Sequence, residues 1–101
     1  IQAIWTAVQL KLPLTIIVVN NAGYGAMRSF SQVLGVSGAP GIDVEGLDFV
    51  SLARGMGCPG TKVETEEQLA TALAASFARP TPTLIDVVVD HAIPHLYAKA
   101  K

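Results

Sequence analysis

A single cysteine, Cys58, stands among 101 residues, and aromatic side chains make up only 6% of the chain. One thiol cannot build a disulfide framework or a multi-cysteine zinc site, and its isolation makes a reducing, cytoplasmic setting the default expectation. Cys58 itself reads as a packing residue. Charge is equally sparse: 15% of residues are charged, seven Lys plus Arg are balanced by eight Asp plus Glu, and the formal net charge is −1. Without a basic cluster the chain has no electrostatic footprint for a phosphate backbone or an anionic bilayer, so neither nucleic acid nor membrane is an expected partner. The apolar runs Ile16 to Val19 and Val87 to Val89 are far shorter than the roughly 20 residues that cross a membrane. A soluble protein is expected.

Half of the residues are hydrophobic and the mean hydropathy is +0.45, the composition of a chain that buries a core. The length suits one ordinary domain. Ile1, Ile4, Trp5 and Val8 recur at helical spacing from the first residue, with no initiator Met and no basic n-region. The expectation is a piece of a larger protein that begins within a helix and lacks a signal peptide.

Pro13 marks a break, and Leu14 to Asn20 (LTIIVVN) has the β-branched continuity of a parallel strand covered on both faces. Asn21 to Gly25 supplies turn residues, after which Met27, Phe30 and Leu34 form the expected inner stripe of a helix ending near Gly35. Gly35 to Gly46 is rich in glycine and reads as a surface loop. Asp48 is a candidate N-cap for a helix with Phe49, Leu52, Ala53 and Met56 on one side, stopped by Gly57. A short extended piece covers Thr61 to Val63. Thr65 and Gln68 form a capping box in which the amide reaches back to the cap residue. The helix that follows has Leu69, Leu73 and Phe77 as its stripe and must end before Pro80. Thr83 to Val89 reads as a buried strand, and His95 to Lys101 as one or two loose helical turns.

This alternating order predicts an α/β fold, part of an open parallel sheet with helices on both faces. Three strands make a small sheet, and partner strands are expected upstream of Ile1. In open parallel sheets, ligands bind beyond the carboxyl ends of strands, where loops lead into helix N-termini. Here that place is Asn20 to Gly25. Asparagine amide oxygens are hard, uncharged donors suited to Mg²⁺, and Gly23 lets a backbone carbonyl turn inward beside them. The same pentapeptide also suits a plain turn. Asp86, inside an apolar strand, requires a partner from an edge strand or a helix cap. Arg28 is placed to meet a phosphate or to form a solvent-facing ion pair. His91 and His95 follow the last strand and are assigned no catalytic role.

Asn20-Asn21-Ala22-Gly23-Tyr24-Gly25-Ala26-Met27-Arg28-Ser29-Phe30, preceded by a hydrophobic strand and a helix opening IQAIWTA, resembles the end of the cofactor motif in thiamine-diphosphate-dependent 2-oxo-acid decarboxylases and acetolactate-synthase-like enzymes. The likeness is strongest to the benzoylformate decarboxylases. It continues through Gly41-Ile42-Asp43, Leu47-Asp48-Phe49, Leu52-Ala53-Arg54-Gly55 and Thr83-Leu84-Ile85-Asp86-Val87.

The resemblance implies that residues 1–101 are the C-terminal half of a domain binding thiamine diphosphate and Mg²⁺. By the same resemblance, Asn21 gives its side-chain oxygen and Gly23 its backbone carbonyl to Mg²⁺. Asn21, Gly23, Tyr24 and Gly25 hold the cofactor, and Ala26, Met27 and Phe30 approach a small 2-oxo-acid substrate. Met27 and Phe30 fit a helix's inner stripe equally well. The family's Gly-Asp-Gly carboxylate ligand, its activating glutamate and its substrate histidines have no counterpart in these residues, so no catalytic residue is assigned. The implied parent is a tetrameric lyase. Two alternatives remain open: a carboligase of the same superfamily, and a noncatalytic α/β binding module. Uncovered apolar faces lead to the expectation that the isolated chain self-associates.

Overall fold

Seven elements follow in order: α1 (Gln2–Gln9), β1 (Thr15–Asn20), α2 (Gly25–Leu34), α3 (Phe49–Gly55), β2 (Gly60–Val63), α4 (Glu66–Phe77) and β3 (Thr83–Val88). They belong to a computed structural model in which residues 1–92 are described. The turns expected over His95 to Lys101 lie outside the described residues. The chain forms two compact units, one built from Ile1–Asn20 with Asp48–Val89 and one that contains Asn21–Leu47.

In the first unit the three strands form a parallel sheet of order β1-β3-β2, so the last strand in sequence is the central one. Thr15 stands opposite Thr83 and Asn20 opposite Val88, while Gly60 stands opposite Leu84. Alternation of side chains along each strand then assigns the faces. Leu84 joins Ala53 and Cys58 in a buried cluster, against which Ile16, Val18, Phe49 and the α1 residues Ile4 and Val8 pack. The opposite face carries Thr15 and Thr83, and α4 meets it through Ser76. The Ser76 hydroxyl bonds Thr15 Oγ1 at 2.5 Å and also bonds Thr83 Oγ1. The buried Ser76 and Thr83 hydroxyls and the half-buried Thr15 hydroxyl satisfy one another. The open parallel α/β architecture with helices on both faces is thus present.

Local chemistry fixes the helix starts. Asp48 caps α3, its Oδ1 accepting from Ser51 N at 2.9 Å and its Oδ2 from the Ser51 hydroxyl at 2.6 Å. Thr65 Oγ1 accepts from Gln68 N at 3.2 Å at the start of α4. The Gln68 amide reaches one residue past the cap, accepting from Glu64 N at 2.8 Å. The α2 helix closes on Gly35, whose left-handed φ of 68° suits glycine at that position.

Four apolar faces differ from the periodicity reading. β1 is an edge strand, and Ile17 and Val19 are exposed where cover on both sides is expected. In α1, Ala7 is buried and Ile4 and Val8 half-buried, whereas Ile1 and Trp5 are exposed. In α4, Ser76 turns inward to the sheet hydroxyls; at about 100° per residue that carries the neighbouring Phe77 outward, to 72% exposure. In α2, Ser29 is the buried residue, and Met27, Phe30 and Leu34 form an exposed stripe.

Candidate functional site

The second unit opens immediately after β1, and its first five residues are the turn singled out by sequence. Asn21 folds back on the chain, its Oδ1 accepting from Gly23 N at 3.3 Å. Such an Asx-type bond holds an amide oxygen close to the backbone while a lone pair remains for another partner. Ala22 has φ of 53°, a left-handed conformation that non-glycine residues rarely adopt. Gly23 pairs antiparallel with Asp43 through an isolated bridge, made by Tyr24 N donating to Ile42 O and Val44 N donating to Ala22 O, each at 2.9 Å. The bridge uses the carbonyl of Ala22 and leaves that of Gly23 out of it.

The chain then enters α2 at Gly25. Tyr24 occupies the N-cap position without a side-chain cap, so no hydroxyl or carboxylate of this residue meets the first N–H groups of the helix. A Cβ on Gly25 would stand 3.0 Å from Asn21 Nδ2, which places the Asn21 amide beside the opening turn. An amide oxygen, a nearby backbone carbonyl and a helix N-terminus are donors of the kinds that a magnesium diphosphate takes. No group of three or more His, Cys, Asp or Glu comes together among the described residues.

The residues Asn21, Gly23, Tyr24 and Gly25 are therefore contiguous in one turn. Ala26, Met27 and Phe30 lie in the first two turns of α2, with Met27 54% and Phe30 47% exposed. Their reading as core residues does not hold, and an apolar stripe at i, i+3 is presented instead. His91 is exposed, and His95 lies outside the described residues. Cys58 is buried in the core of the first unit, where desolvation pushes its thiol pKa up.

Sequence reasoning left the partner of Arg28 undefined. Its guanidinium donates from Nε to Asp43 Oδ1 at 3.0 Å and from Nη2 to the same oxygen at 2.5 Å, and Nη2 also reaches Ala22 O at 3.3 Å. The ion pair expected of Arg28 is thus made with Asp43, on a carboxylate side chain that is 66% exposed, while the Arg28 side chain itself is 16% exposed. No periodic signal links positions 28 and 43, because Asp43 belongs to an irregular loop.

In chain order, a parallel strand followed directly by an amide-bearing turn that opens a helix is the arrangement in which α/β proteins hold phosphorylated ligands. Residues 1–87 match the family described as "Thiamine pyrophosphate enzyme, C-terminal TPP binding domain", and the chain belongs to that family. It is 45% identical over 87 residues to benzoylformate decarboxylase of Pseudomonas aeruginosa, covering 86% of this chain and 16% of that protein. Acetolactate synthase of Bacillus subtilis is 36% identical over 86 residues, covering 85% of this chain and 15% of that protein. Among solved structures, the thiamine diphosphate-dependent 4-hydroxybenzoylformate decarboxylase of Rhodococcus jostii RHA1 superposes with a TM-score of 0.87 at 46% identity, over 91% of this chain and 18% of that one. The chain thus spans about one-sixth of the length of these relatives.

Proposed function

We propose that this chain is the diphosphate-holding part of a thiamine-diphosphate-dependent lyase that decarboxylates a 2-oxo acid of the benzoylformate type. The observation that carries the reading is the Asn21–Gly25 turn. One amide oxygen is held against the backbone, one carbonyl is left out of the neighbouring bridge, and the helix that follows has no side-chain cap. Membership of the thiamine pyrophosphate enzyme family supports the cofactor, and the benzoylformate decarboxylase relatives support the substrate class.

In this reading Asn21 Oδ1 and the Gly23 carbonyl hold Mg²⁺, and Tyr24 and Gly25 lead the diphosphate to the start of α2. When bound, thiamine diphosphate supplies the nucleophilic carbon and the electron sink for loss of CO₂. The residues of this chain fix its diphosphate end. Ala26, Met27 and Phe30 offer an apolar surface to an aromatic or branched substituent. Residues 1–101 form the C-terminal portion of the cofactor domain, and the charged magnesium ligand and proton-transfer groups come from elsewhere in a cytoplasmic homo-oligomer, a tetramer in this reading.

The test is CO₂ release from benzoylformate by the whole protein, with and without added thiamine diphosphate and Mg²⁺. Cofactor-dependent turnover is expected. The 36% identity to an acetolactate synthase favours carboligation as the second reading, and condensation of two pyruvate molecules with no turnover of benzoylformate would establish it. Failure of the protein to bind the cofactor would overturn both.

A further inference from the structure

The contacts of Arg28 go beyond an ion pair. Its guanidinium binds the Asp43 carboxylate through two nitrogens and the Ala22 carbonyl through one of them. It also lies so close over Gly23 that a Cβ at that position would collide with Nη2 and would stand 2.8 Å from Cζ. Ala22, whose carbonyl it holds, is the residue with the left-handed backbone. Val44 N donates to that same carbonyl, and Tyr24 N donates to Ile42 O, so the segments 22–24 and 42–44 are laced together directly beneath the guanidinium.

Resting on the reading that this turn holds a magnesium diphosphate, we propose that Arg28 and Asp43 form a latch that sets the orientation of the Gly23 carbonyl and the Asn21 amide. Arg28 is a positioning residue, acting on the metal and cofactor through the backbone of Ala22 and Gly23. A left-handed alanine persists only when its surroundings over-determine it, and two donors converging on its carbonyl do so. Geometry selects arginine for this task. Nε and Nη2 must meet the carboxylate while Nη2 also reaches the carbonyl, an arrangement for a planar fork and not for an ammonium on a flexible stem.

The location of Asp43 separates this role from general stability. Its side chain is 66% exposed, and an ion pair so open to solvent adds little to folding by itself. The consequence of cutting it is therefore local. Groups that orient metal ligands without touching the metal typically change metal affinity about 10-fold to 100-fold when removed.

The experiment uses the whole protein and reads two quantities: the Kd for thiamine diphosphate by calorimetry across a Mg²⁺ series, and the apo-protein melting temperature. Arg28→Met is expected to raise the Kd by about tenfold or more and to shift the Mg²⁺ dependence upward, with the apo melting temperature close to wild type. Arg28→Lys is expected to recover part of the affinity. Asp43→Asn leaves the Arg28 contact to Ala22 in place and is expected to fall between wild type and Arg28→Met. If Arg28→Met does not fold, Asp43→Asn still decides. Wild-type affinity in both variants, or a large loss of melting temperature with affinity unchanged, would overturn the latch. A wild-type protein that fails to bind the cofactor would instead overturn the functional reading on which the latch rests.

Discussion

Asn20, the last residue of the edge strand β1, donates from Nδ2 to Oδ2 of Asp86 on the central strand at 3.3 Å. Asp86 is 3% exposed, and its Oδ1 finds no partner among the described residues. The edge-strand partner expected for a carboxylate in an apolar strand is therefore Asn20. Asn20→Ala is expected to destabilise the protein by about 2 kcal/mol, the order of leaving a buried acceptor unsatisfied. The measurement is a urea midpoint, with the slope of the transition unchanged. Asn20→Asp, which sets a second carboxylate against the first, is expected to lower the midpoint further.

The two side-chain caps are separable by pH. Thr65→Ala is expected to cost about 1 kcal/mol at any pH from 3 to 8, because a hydroxyl cap does not titrate. Asp48 accepts hydrogen bonds from the Ser51 side chain and backbone, which hold its pKa below the ordinary 3.8. A carboxyl whose folded-state pKa is depressed stabilises the fold above its unfolded value, and that contribution disappears as pH falls through the folded value. Asp48→Ala should therefore lower the melting temperature at neutral pH and lose its effect in strong acid.

Burial places the Cys58 thiol 1% exposed and raises its pKa, with the Arg79 charge opposing weakly. Only the thiolate reacts with alkylating reagents. The native protein is therefore expected to resist iodoacetamide at pH 8 and to label only in denaturant, as mass spectrometry would show. Rapid labelling of the folded protein would place Cys58 outside the core.

Gly23 is the position in the turn least able to accept a side chain. A Cβ there would collide with the Arg28 guanidinium and stand 2.9 Å from the Ile42 carbonyl oxygen, whereas at Gly25 it would meet only Asn21 Nδ2 at 3.0 Å. Gly23→Val is expected to abolish retention of thiamine diphosphate through gel filtration, and Gly25→Ala to weaken it less. Equal retention in both variants would show that the turn tolerates a shifted arginine.

Exposed Ile17 and Val19 on β1, with Trp5 on α1, leave apolar surface uncovered in the first unit. Exposed edge strands of this kind pair with other chains. The isolated 101-residue chain is expected to sediment as concentration-dependent oligomers, and Val19→Lys to reduce that association. A monomer at every concentration would count against β1 as an adhesive edge.

The elements legible in the sequence are those whose signals are local. Asp48 and Thr65 announce their helices because a cap acts on the next three residues, and Gly35 ends α2 for the same reason. Asn20 to Gly25 stands out because turn residues follow a β-branched run directly. What escapes is set by partners far along the chain. Phe77 belongs to the apolar period of α4, yet the hydroxyls of Thr15 and Thr83 draw Ser76 inward and turn Phe77 out. Met27 and Phe30 fit an inner stripe by spacing but are exposed, since spacing does not say which face another element covers. The Arg28–Asp43 pair joins a helix to an irregular loop 15 positions away, beyond any periodic rule.

The strand order β1-β3-β2 carries a consequence for biosynthesis. A ribosome delivers residues from the N-terminus, so both outer strands emerge before the strand that joins them. Until Thr83 to Val88 leaves the exit tunnel, neither β1 nor β2 can make its pairing with β3. Parallel pairing between distant segments is intrinsically slow and vulnerable to aggregation. Nascent chains halted before Thr83 are thus the species in which β1 and β2 still lack the strand that joins them.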